Sequence, residues 1–163
     1  MAVREARNAI LIEDKSGRVS QVAIDPTETV YQGDLMKWDA ANHRATKMTA
    51  AADAATFLGV SDHTNPQYTA GTLTANYTKA YTNIVQSALV RMIAGKAETL
   101  HGFGLLEMVT DAQHVQGTAT AANVIGVVDP GWATVAGKTV AIGDEIKLWL
   151  KVPKNLAAFG GTQ

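Results

Sequence analysis

The sequence predicts an all-β protein: a compact β-barrel or β-sandwich of short strands, with an extended N-terminal arm and at most one short helix. Three observations carry this. The apolar runs are short and are broken by Gly, Asp and Asn. Thr, Val and Ile are plentiful, and β-branched side chains suit a pleated sheet. Near the C-terminus, Ile146, Leu148, Leu150 and Val152 alternate with Lys147, Trp149 and Lys151, and a period of two puts the two sets on opposite faces of one strand.

Taken in chain order, the strand-like segments are 9–13, 19–24, 29–38, 56–61, 68–74, 84–93, 105–109, 124–128, 138–142 and 144–152. Ten short strands with frequent turn signals read as a sandwich or small barrel. The Ala-rich stretch 48–55 is the one helical candidate, and its brevity limits it to one or two turns. Residues 1–27 form an N-terminal arm with leading strands, 28–152 the β domain, and 153–163 a C-terminal tail. Segment 62–81, rich in Asn, Thr, Tyr, Pro and Gly, reads as a surface excursion.

Composition narrows the function classes. The chain has 163 residues, 14 Lys and Arg against 15 Asp and Glu, and a formal net charge of −1. A nucleic-acid binder needs a basic surplus to neutralise phosphates, so that class is not expected. Nor is a membrane one, because there is no polybasic run and no stretch near the ~18 apolar residues of a span. The apolar run 9–12 is too short for a signal peptide. Without cysteine there is no disulfide, thiolate metal site or Cys nucleophile.

The chain echoes itself. Leu35-Met36-Lys37-Trp38-Asp39-Ala40-Ala41-Asn42-His43 leads through an Ala/Thr stretch to Phe57-Leu58-Gly59-Val60-Ser61-Asp62. Glu107-Met108-Val109-Thr110-Asp111-Ala112-Gln113-His114 leads likewise to Val124-Ile125-Gly126-Val127-Val128-Asp129. This weak duplication, about 33–62 and 105–129, aligns Asp39 with Asp111 and His43 with His114. A third echo sets Gly33-Asp34-Leu35-Met36 against Gly143-Asp144-Glu145-Ile146, matching Met36 and Trp38 with Ile146 and Leu148.

No motif points to catalysis. Ala136-Gly137-Lys138-Thr139 imitates a phosphate loop, but five residues rather than four separate Gly137 from Gly131, and the following Val140-Ala141-Ile142 reads as strand, which lacks a helix N-terminus. Asp39 with His43 and Asp111 with His114 fit duplicated turns better than a metal or acid–base site. No nucleophile elbow and no paired carboxylates occur. No catalytic, metal or cofactor residue is therefore expected. Trp38, Trp132 and Trp149 read as core or subunit anchors, and Trp149 is the best candidate for a contact with another chain because it shares the lysine face.

Gly33-Asp34-Leu35-Met36-Lys37-Trp38-Asp39, then Phe57-Leu58-Gly59-Val60, then Val124-Ile125-Gly126-Val127 and a closing Gly143-Asp144 strand resemble the capsid decoration, or cement, proteins of tailed bacteriophages. The resemblance spans about residues 28–152. The insertion at 62–81 and the leading strands depart from the smallest members. The resemblance implies a non-enzymatic virion protein without cofactors, made in the host cytoplasm. It would bind the major capsid protein on the outer face of the shell as a homo-oligomer, with a trimer favoured, bridging capsomers. An arm at 1–8 would add a strand to a neighbouring edge, with Arg4 and Arg7 on shell carboxylates and Phe159 anchoring the tail. The alternatives are another virion subunit, of tail tube or head fibre, or a carbohydrate-binding module using Tyr68, Tyr77 and Tyr81.

Overall fold

The computed structural model describes residues 9–14, 18–25, 28, 30–62, 80–109, 112–134 and 136–150. They form thirteen strands: β1 Ile10–Asp14, β2 Arg18–Ile24, β3 Leu35–Asp39, β4 Arg44–Lys47, β5 Phe57–Ser61, β6 Ala80–Val85, β7 Ala88–Ile93, β8 Glu98–Leu100, β9 Leu105–Val109, β10 His114–Gly117, β11 Val124–Val128, β12 Lys138–Val140 and β13 Glu145–Leu150. Two 3-10 turns, η1 at Ala51–Thr56 and η2 at Ala121–Asn123, complete the inventory. The fold is all-β and compact, as expected.

The first half closes as a five-stranded barrel in the order β2-β4-β3-β5-β6. The second half is a sheet in the order β1-β7-β13-β11-β9-β10. It curls until Ala94, just after β7, makes a parallel bridge to Val115 of β10. That bridge is the counterpart of the parallel pair Ile24↔Ala45 between β2 and β4. Both partners advance by the same step, from 24 to 94 and from 45 to 115. The second half therefore repeats the first, as β7-β10-β9-β11-β13, with β1 laid along the outer edge of β7.

The repeat extends to register. Met36 faces Gly59 as Leu106 faces Gly126, and each pairing is followed by a bulge before Lys37↔Phe57 and Glu107↔Val124. The hairpins close on Asp39↔Arg44 and Val109↔His114 with four-residue loops between. The fourth loop residue is left-handed in both, His43 at φ 52 and Gln113 at φ 57. This corrects the alignment drawn from sequence: Asp39 corresponds to Val109, and His43 to Gln113. The Asp-Ala pairs that suggested otherwise sit two residues out of phase.

Strand β3 shows why one chain can fold this way. Its side chains alternate between two cores. Met36 points into the first barrel with Ile24, Val30, Ala45 and Ile84. Leu35 faces the other way and joins Met48, Phe57 and Val60 in a cluster with Leu106, Met108, Ile125, Ile146 and Leu148 of the second barrel. One continuous hydrophobic core thus welds the barrels. A ribbon adds to it: β2 runs antiparallel to β6 from Ile24↔Ala80 to Arg18↔Val85, and β1 continues along β7 from Asp14↔Ala88 to Ile10↔Arg91.

Several expected elements change. The strand expected over 29–38 begins only at Leu35, because Gly33 turns the chain at φ 96 and the Asp34 carboxylate accepts the Tyr31 N–H at 2.8 Å. The strand expected over 84–93 is two, broken at Gln86 and Ser87 where the ribbon passes between barrels. Asp144 ends the 138–142 strand at Val140 by accepting the Ala141 N–H at 2.8 Å. The short helix expected over 48–55 is present as the 3-10 helix η1, shifted to Ala51–Thr56. Three short polar strands, β4, β8 and β10, went unforeseen, since three or four residues carry too little pattern to read. The segment expected at 68–74 lies outside the described residues.

Candidate interaction surface

The strongest polar contact between the barrels is a single side chain. Gln113, at the tip of the β9–β10 hairpin, is 2% exposed. Its Oε1 accepts the Leu35 N–H at 2.8 Å, and its Nε2 donates to the carbonyls of Leu35 at 3.0 Å and Met48 at 2.9 Å. The head of β3 is thereby a socket. Met48 N–H also donates to the Leu35 carbonyl at 2.9 Å. In the second barrel the Thr118 N–H donates to the Leu105 carbonyl at 2.9 Å. The sockets are built alike, yet Leu35 is fully buried and Leu105 is 41% exposed.

A recurrent turn precedes both sockets and also β13. In 31–34, 101–104 and 141–144 the fourth residue's N–H donates to the first residue's carbonyl, at 3.1, 2.9 and 3.1 Å. The third residue is left-handed every time: Gly33 at φ 96, Phe103 at φ 64 and Gly143 at φ 94. The Gly-Asp echo therefore marks this shared turn and not a shared strand, since β3 corresponds to β9 rather than to β13. Phe103 stands where the others have glycine. It is 69% exposed, and Leu105, two residues on at the head of β9, is exposed as well.

Charged groups brace the rest of the surface. Burial pushes the Asp53 carboxyl up, but the Lys37 hydrogen bond at 2.8 Å and the Thr49 and Ala50 N–H groups outweigh it and hold it below its usual range. Glu107, the counterpart of Lys37, is raised by burial and lowered further by bonds from Gln116, Asn123 and Thr118, with a net shift downward. Glu28 goes the other way. Burial raises its carboxyl, while Lys47 N–H at 3.1 Å is the chief opposing contact.

An open groove of about 350 Å³ lies between β3, β4 and η1, lined by Lys37, Trp38, Asp39, Thr46 and Thr56. Among the described residues no three His, Asp or Glu side chains gather in a metal-holding group. Nor is any helix among them long and apolar enough to cross a membrane. Gly137, at φ 84, turns the chain into β12, so Lys138 and Thr139 lie in a strand and no helix opens there.

Of the residues expected to bind partners, Arg4, Arg7 and Phe159 lie outside the described residues. Trp149 is half-buried, and its indole N–H donates to Asp129 of its own chain at 3.3 Å. Trp132 packs on the core with the Lys138 ammonium 4.4 Å above its ring. Sequence reasoning missed Gln113, Leu105 and Phe103. Phe103 had one readable signal, an aromatic between Gly102 and Gly104 ahead of a strand; Gln113 had none.

Fold and surface define a tandem repeat of a five-stranded β-barrel whose polar contacts join barrel to barrel. No family model and no curated protein matches this chain.

Proposed function

We propose that this chain is a structural virion protein that binds the outer surface of a phage capsid as a homo-oligomer and cements the shell by bridging capsomers. The observation that carries the reading is the duplication. One rigid chain offers two near-copies of the same barrel, and paired weak contacts to a repetitive lattice multiply by effective concentration, roughly 10²–10⁴ in avidity. Of the motifs that suggest the decoration family, Gly59-Val60 and Gly126-Val127 lie at equivalent strand crossings of those barrels, and Gly33-Asp34 and Gly143-Asp144 form turns of the same conformation ahead of different strands. A trimer would present six barrels around one axis. The partner is the major capsid protein, and no chemistry is asked of the chain.

The test is reconstitution. Shells of a phage whose capsid gene lies beside this one, stripped of the protein, are mixed with purified protein, then sedimented and heated. Saturable binding at a fixed ratio and a higher disruption temperature are expected. Shells that stay bare would exclude the reading. The groove beside Trp38 favours a second one, a carbohydrate-binding module, because an aromatic flanked by polar groups suits a sugar ring. A glycan array without hits removes it.

A further inference from the structure

Among the described residues, the contact made by Gln113 occurs once. The second barrel gives its tip to the first barrel's socket. The first barrel's own tip, residues 41–43, is exposed. The second barrel's own socket is uncovered at Leu105, 41% exposed, and Phe103, 69% exposed. These are two of the four exposed large hydrophobic residues among those described. A head-to-tail contact leaves one tip and one socket over at its two ends, and such contacts propagate until a ring closes or a filament grows.

Phe103 strengthens the case. A phenylalanine at φ 64 is strained, and glycine holds that place in both sister turns. Its backbone is nonetheless fixed, with the Phe103 N–H on Val128 and the Gly104 N–H on His101, both at 2.9 Å. The fold thus holds an apolar side chain rigidly in solvent beside an uncovered copy of an occupied socket.

We infer that a second copy of this chain covers it: the 41–43 tip of one copy docks on Phe103, Leu105 and Thr118 of the next. His43 takes the part of Gln113. Both are left-handed at the same loop position, and a neutral imidazole, like an amide, offers one acceptor and one donor. The acceptor meets the Leu105 N–H and the donor meets the carbonyl of Leu105 or Thr118. The inference deepens the oligomeric part of the proposed function, and it requires no shell.

The chain has no cysteine, so introduced thiols report cleanly. His43→Cys and Leu105→Cys are made separately, both at exposed positions, and treated with a short bismaleimide. A covalent dimer should form in the mixture of the two and in neither alone, and copies carrying both changes should run as a closed oligomer. Leu105→Glu, on the full chain, should weaken self-association at least tenfold by sedimentation, with an unchanged circular dichroism spectrum. His43→Cys linking to itself, a mixture that does not cross-link, or unaltered sedimentation of folded Leu105→Glu would overturn the inference. Rings that assemble and cross-link as described while shells stay bare would support the inference and sink the capsid reading instead.

Discussion

Gln113 and Leu35 are 78 positions apart, yet the amide of one is bonded to both the N–H and the carbonyl of the other. A backbone group at the head of a strand, where the ladder runs out, is thus satisfied by a side chain from the other barrel. All atoms involved are buried, so each bond lost leaves a desolvated group unpaired. Replacing Gln113 by Met should cost about 3 kcal/mol in urea unfolding. Gln113→Glu should cost more at neutral pH, because a carboxylate faces two carbonyl oxygens, and part of the loss should return on acidification, when the protonated carboxyl can donate again.

Phe103→Gly should stabilise the isolated chain. Glycine adopts the left-handed conformation without strain, and one exposed ring leaves the surface. Its greater entropy in the unfolded state offsets part of the gain, leaving about 0.5–1 kcal/mol. A lower urea midpoint for Phe103→Gly would show that the ring already packs within its own chain.

Glu28 supplies a pH dependence. Burial, helped by the charges of Asp25 and Asp34 and opposed by Lys47, raises its carboxyl above the usual glutamate range, and its Oε2 has no hydrogen-bond partner among the described residues. A carboxyl raised on folding stabilises the protein fully below its unfolded value, and that stability is lost as pH rises through the folded value. Glu28→Gln cannot ionise. Its urea midpoint should therefore exceed the wild type's at pH 7 and converge with it near pH 4. Equal midpoints at pH 7 would refute this.

Gly59 and Gly126 explain why a Gly-Val pair recurs. A Cβ on Gly59 would strike the Val85 carbonyl and sit 2.9 Å from the Ile84 side chain, and one on Gly126 would strike the Trp149 carbonyl and sit 2.9 Å from Leu148. Each glycine lets the last strand of its barrel cross at close range. Gly59→Ala and Gly126→Ala should each destabilise by more than about 2 kcal/mol, since the obstacle is backbone and cannot turn aside. The loss should be similar in the two barrels, measured by denaturant unfolding with hydrogen exchange to assign the region that opens.

Two short apolar strands, 105–109 and 124–128, were legible to the residue, because an apolar run bounded by turn residues is a local signal. Those of three or four polar residues were not. β10 consists of His, Val, Gln and Gly, and only pairing with β9 makes it a strand. The duplication was visible as a rhythm but misaligned by two residues in the hairpin, because Asp-Ala dipeptides matched where backbone geometry did not. Of the surface proposed to bind, Trp149 was singled out for its strand face, but its indole is engaged by Asp129, a partner 20 residues away in sequence.

By itself the sequence determined the class of structure, short amphipathic strands closed by Gly-Asp turns, since alternation, β-branching and turn chemistry are local properties. Only the tertiary structure decided that the two halves are the same barrel, that β3 serves two cores at once, and that one hairpin tip is buried while its twin is exposed. Those facts depend on parallel bridges and side-chain contacts between residues far apart in the chain, where identical local patterns meet different neighbours.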